Sequence, residues 1–117
     1  MTDNPPAYAI AYLRQVDFGE AIVDYLQRID ATLAPHGGHF LVHGGQLLGV
    51  EGEWDGDIVI IEFPCRHAAH AWYQSPGYQG ILPLRTQNSQ SIAAIVDGVP
   101  PGYRAADGLA ALLAQQP

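Results

Sequence analysis

The residues of this 117-residue chain able to do chemistry are few: five histidines, one cysteine, five arginines, no lysine and a scatter of carboxylates. His36, His39 and His43 resemble a metal cluster. However, His39 and His43 lie four residues apart on an extended segment, so their Cα atoms stand roughly 13 Å apart. Zinc ligands sit about 2 Å from the metal, which one ion cannot reconcile with that spacing. His67 and His70, at i and i+3 of a helical stretch, make two ligands with no nearby helical carboxylate. No metal site is expected, and the histidines read as polar rim or surface residues.

Glu62 ends an apolar run, on one face with Ile58 and Ile60. A desolvated carboxylate there has a raised pKa and suits a general base, with His43 as the second candidate for moving a proton. The competing reading is an ion pair with Arg14 or Arg85, or a contact with a second subunit. Arg85 offers a planar fork for a carboxylate or phenolate, or else ties down a helix end. Trp72, Tyr73 and Tyr78 cluster on the same helical unit, as core or as the wall of a pocket. Cys65 at a helix start reads as a capping or buried thiol, with a reactive thiolate as the alternative. No G-x-S-x-G nucleophile motif occurs.

These residues need a scaffold, and hydrophobic periodicity supplies one. Tyr8 to Val16 alternates as a strand, with Tyr8, Ile10, Tyr12 and Arg14 opposite Ala9, Ala11 and Leu13. Asp17 and Glu20 form a capping box before the helical stripe Phe18, Ile22, Tyr25, Ile29 and Leu33, which Pro35 and Gly37-Gly38 stop. His39 to His43 reads as a strand continued, with a bend at Gly44-Gly45, by Gln46 to Trp54. Asp55-Gly56 is a turn, and Asp57 to Phe63 is the clearest strand. Helix follows from Arg66 to Gln74 and restarts at the Ser75-Pro76 cap, with Pro83 arguing against one smooth helix. Gln90 to Val96 is the last strand, and Arg104 to Gln115 is a short Ala/Leu-rich helix.

The order strand, helix, strand, strand, helix, strand is the ferredoxin-like β-α-β-β-α-β pattern, an α+β fold with an antiparallel sheet. It divides the chain into a lead-in at 1–7, a core domain at 8–97, and a linker with C-terminal helix at 98–117. Both core helices must cover one face of the sheet. The face bearing Tyr8, Ile10 and Tyr12 is left for a second copy, so a homodimer through this open sheet face is expected.

Composition narrows the functional classes. Hydrophobic residues make up 48% and charged ones 15%, a globular balance. A formal charge of −7 with no clustered cations excludes a nucleic-acid surface. The absence of lysine removes Schiff-base chemistry and a P-loop phosphate clamp. The polar start has no basic, then apolar, leader, and no apolar run approaches the ~20 residues of a membrane span. A cytoplasmic protein without a membrane partner is expected.

At Gly37 to Gly45 (GGHFLVHGG), Ile61 to Pro64 (IEFP), Ala71 to Gln79 (AWYQSPGYQ) and Leu82 to Arg85 (LPLR), the sequence resembles the DUF1330 family, over roughly residues 8–97. The resemblance implies a dimeric α/β barrel, in a superfamily that includes cofactor-independent quinol monooxygenases, haem-degrading enzymes and muconolactone isomerase-like proteins. Family members usually carry Arg at the position of His43 and a basic residue at that of His39; if that Arg is an anion ligand, His43 would be a weaker, pH-dependent substitute. The expectation is a small cofactor-independent monooxygenase- or isomerase-like enzyme acting on an aromatic or small anionic metabolite. Glu62 and His43 are the candidate catalytic residues. Arg85, Trp72, Tyr78, His39 and Tyr12 are the candidate substrate contacts. The alternative is a non-catalytic dimeric module that binds a metabolite or supports another protein.

Overall fold

A computed structural model describes residues 5–116. Its elements run β1 (Ala7–Arg14), α1 (Glu20–Leu33), a 3-10 turn (Ala34–His36), β2 (His39–Val42), β3 (Gly56–Phe63), α2 (Arg66–Gln74), α3 (Pro76–Thr86), β4 (Gln90–Asp97) and α4 (Ala105–Ala114). The four strands form one antiparallel sheet in the order β2-β3-β1-β4. This is the ferredoxin-like arrangement expected from the order of elements.

Strand alternation sorts the side chains by face. Ala7 and Ala9 of β1 lie in register with Phe63 and Ile61 of β3, and with Asp97 and Ile95 of β4. Ala7, Ile61 and Phe63 are buried beneath the helices, where Ile29 and Leu33 of α1 and Trp72 of α2 complete the core. The opposite face carries Ile10, Ile58, Ile60, Ile92 and Val96, with Ile92 74% exposed. No helix of the described residues is long and apolar enough to cross a membrane.

Four local expectations change. First, α1 begins two residues beyond the expected cap, with Gly19 as N-cap and no side-chain bond; the Asp17 amide instead donates to the Asn88 carbonyl at 2.8 Å. Second, β2 ends at Val42 and residues 43–55 form a loop, since beyond Val42 no strand pairs with this segment. Third, a bulge between Phe40 and Val42 breaks the alternation, so His39 and His43 do not share a face. Fourth, α3 runs unbroken through Pro83. Tyr78, Ile81 and Arg85 fall on one stripe of that helix, and their burial outweighs the missing amide bond. The Ser75 cap forms as expected, its hydroxyl accepting from the Tyr78 amide at 3.2 Å.

The long loop is tied back across the open face. The Tyr12 hydroxyl donates to Asp55 Oδ1 at 2.7 Å and accepts from the Asp55 amide at 2.8 Å. The Trp54 ring meets Tyr12 edge-on at 5.8 Å. Tyr12 thus serves as a loop anchor, and its bond holds the Asp55 carboxyl below its ordinary pKa, with Arg14 assisting and burial opposing. A carboxyl depressed in the folded state adds stability above its unfolded pKa, near ~4, and loses it as pH falls through the folded value. In Tyr12→Phe the Asp55 titration moves up toward ordinary carboxylates, read by carboxyl-carbon NMR. An unmoved midpoint would mean that other groups hold Asp55.

Candidate functional site

Between the sheet and the helices lies a cavity of about 340 Å³. Its floor is set by small residues: Ala9 and Ala11 of β1 and Ala93 of β4 stand inward where larger side chains would fill the space. Phe40 of β2 and the aromatics of α2 and α3 form its walls. Trp72 packs on Tyr78 at 4.1 Å between ring centroids, and Tyr73 approaches Tyr78 at 5.6 Å. The Trp72 indole donates to Thr32 Oγ1 at 2.9 Å, which fixes the ring plane. Trp72 and Tyr78 are therefore core residues and cavity walls together.

The polar end belongs to Arg85, only 6% exposed. It reaches inward from the last turn of α3, and its Nη1 donates to Ser91 Oγ at 2.6 Å. Tyr25 and Tyr78 join their hydroxyls at 2.7 Å beside the guanidinium. Burial first, and then Tyr78, push the Tyr25 phenol far above its usual pKa, so it stays protonated. Burial works against the Arg85 charge, but the Tyr78 and Tyr25 oxygens more than offset this and raise its pKa. Among the described residues no carboxylate pairs with Arg85.

The structure separates the expected site residues into two groups. Arg85, Trp72, Tyr78 and His43 line the cavity; His43 is exposed and stacks on Phe40 at 4.6 Å. Glu62, His39 and Tyr12 stand on the other side of the sheet. Glu62 is in register with Tyr8 and His39, and its Oε1 meets His39 Nε2 at 2.9 Å. The expected pairing of Glu62 with Arg85 or Arg14 does not occur, because strand period puts Glu62 and Arg85 on opposite faces; Arg14 faces Asp55 at 3.9 Å instead. His36 lies in the 3-10 turn and His67 and His70 share a surface cleft on α2, and among the described residues no three His, Cys, Asp or Glu side chains are grouped to hold a metal. Tyr25 and Ser91 escaped sequence reasoning. Tyr25 looked like one more apolar stripe residue. Ser91 could have been found, since it alternates with the inward Ala93 and Ile95 and needs a buried partner.

The four-stranded antiparallel sheet with helices on one face places the chain among ferredoxin-like proteins. It belongs to the DUF1330 family, a domain of unknown function, whose pattern it matches over residues 6–99. No curated protein matches it in sequence. In fold it is similar to a protein of unknown function from Rhodopseudomonas palustris, at 20% identity and TM-score 0.62 over 84% of this chain and 85% of that one. It is also similar to a dimeric ferredoxin-like protein of unknown function from Thermobifida fusca, at 14% identity and TM-score 0.56 over 84% and 95%. A third likeness is to SnoaB, a cofactor-independent oxygenase from Streptomyces nogalater, at 15% identity and TM-score 0.55 over 86% and 99%.

Proposed function

We propose that this chain works as a homodimer, paired through its open sheet face, and that each sheet–helix cavity takes up a small aromatic or anionic metabolite. The observation that carries this reading is the buried, carboxylate-free Arg85 at one end of an apolar, aromatic-walled cavity of about 340 Å³. That volume lies at the small end of ligand pockets, and a few polar groups in an apolar lining are what such pockets use for orientation. The open face supports pairing because its isoleucines are flanked by polar groups, with Tyr8, Glu62 and His39 at one end and Tyr12 and Asp55 at the other. An apolar centre with a polar rim is the anatomy of a protein interface. The exposed Leu109, Leu112 and Leu113 of α4 give the second copy further apolar surface to meet.

A second reading makes the protein an enzyme of the cofactor-independent oxygenase or isomerase kind. It is favoured by the likeness in fold to SnoaB and by His43 beside the cavity. Both reactions begin with proton removal next to an oxygen-bearing carbon, and the Arg85 end would stabilise the oxyanion that forms. Glu62 has no part in this scheme from within one subunit, since it faces away from the cavity.

The test is native mass spectrometry, then a thermal-shift screen of phenols, quinols and small carboxylates with the wild type and Ala93→Leu. A dimer stabilised by such a compound is expected, with the shift reduced by at least half in the narrowed variant. Equal shifts in both proteins would place binding elsewhere. Consumption of the stabilising compound would favour the enzyme reading over simple uptake.

A further inference from the structure

The donors and acceptors at the polar end of the cavity narrow the ligand. Arg85 has five N–H donors and no acceptor. One goes to Ser91 Oγ, and the Tyr25 and Tyr78 oxygens lie against the guanidinium. The two phenols share one contact, so one hydroxyl donates to the other and the second keeps an uncommitted proton. Ser89 Oγ gives its one proton to the Arg85 carbonyl at 2.8 Å. Across the 3.2 Å contact Ser91, which accepts from Arg85, therefore donates to Ser89 Oγ, and neither serine supplies a charge to set against the guanidinium. The cluster is thus rich in donors, carries one full positive charge and holds no anion. The tyrosine oxygens stabilise the guanidinium without neutralising it, so an anionic head group would add the counter-charge that a neutral or cationic one cannot.

The remainder of the cavity specifies the body of the molecule. The alanine floor and the Trp72, Tyr78 and Phe40 walls leave a space with few polar groups, suited to a flat apolar group. Resting on the cavity reading above, we infer that the ligand is an aromatic carboxylate of one or two rings, its planar carboxylate held by the Arg85 fork and a tyrosine hydroxyl. Bidentate pairing of guanidinium with carboxylate satisfies two donors together, and the phenol proton supplies a third bond.

The experiment is an NMR titration of full-length protein, following the Trp72 indole and Arg85 guanidinium resonances. The probes are benzoate, 1-naphthoate, neutral benzamide, cationic benzamidine and uncharged benzyl alcohol. Benzoate or 1-naphthoate is expected to bind at least tenfold more tightly than benzamide, with benzamidine binding most weakly. In Arg85→Gln, which retains a donor for Ser91, that preference should fall to within twofold; Tyr78→Phe should reduce it in part. Should benzamide or benzyl alcohol match the carboxylates at the Trp72 resonance, the anion inference fails and the cavity reading stands. Should no probe move either resonance, both fail. The wild-type ranking decides the matter even if Arg85→Gln folds poorly.

Discussion

Phe63→Ala is expected to lower unfolding stability by about 3–5 kcal/mol, the range for removing a fully buried aromatic ring. Phe63 is completely buried at the end of the central strand, in register with Ala7 and Asp97 through β1. Its ring packs on Trp72 at 5.3 Å and fills the space over Gly38, where an added Cβ would come within 2.6 Å of it. It therefore joins β3, α2 and the chain leaving the 3-10 turn. Domains of this size have only about 5–15 kcal/mol in total, so the variant should populate unfolded chain near body temperature. Urea unfolding at fixed protein concentration measures the effect, since a dimer's apparent stability depends on concentration. Phe63→Leu should lose clearly less, because part of the volume is kept. A loss below about 1 kcal/mol for the alanine variant would mean that the helices close over the vacancy, which the fixed Trp72–Thr32 bond argues against.

Ile92→Asp is expected to abolish the dimer while leaving the subunit folded. Ile92 stands outward on β4, in register with Tyr12, and 74% of it is exposed in the single chain. The substitution therefore removes little from the subunit's own core. Each buried isoleucine contributes about 1.5–3 kcal/mol. Two-fold symmetry doubles that contribution, and an unpaired carboxylate adds a desolvation cost on each side. Together these should raise the dimer dissociation constant more than ~100-fold, at about 1.4 kcal/mol per tenfold. Analytical ultracentrifugation reads the effect, with circular dichroism as the check on folding. Val23→Asp, outward on α1 and also exposed, is the control and should leave association unchanged. A dimer that survives Ile92→Asp with wild-type affinity would move the interface off the open sheet face.

How much of this was legible in the chain follows from the range of the interactions involved. Period-two alternation and turn residues are local signals, and they located β1, β3 and β4 to within one or two residues at each end. The two faces of the sheet were readable for the same reason: Ala9 and Ala11 oppose Tyr8 and Ile10 in the sequence as they do in the fold. The Ser75-Pro76 helix start was equally local. The length of β2 was not, because a strand persists only where a neighbour pairs with it, and residues 43–55 look extended until the missing partner is known. Pro83 likewise argued locally against a continuous helix, while long-range packing of Tyr78, Ile81 and Arg85 carried α3 through it.

For the candidate site, the sequence alone determined which residue types were available: one short supply of cations, a cluster of aromatics and no lysine. It singled out Trp72 and Tyr78 as aromatics clustered on one helical unit, and Arg85 as one of five cations, following the Ser-Pro-x-Tyr stretch. Only the tertiary structure decided which of the other candidates join them. A single bulge turned His43 away from His39, and strand parity put Glu62 on the face opposite Arg85. Tyr25 and Ser91 entered from α1 and β4, far from Arg85 or Tyr78 along the chain or on another element, through bonds of 2.7 and 2.6 Å. Helical and strand periods are written into neighbouring residues, whereas a cavity is the space that separate elements leave between them, and no local pattern encodes it.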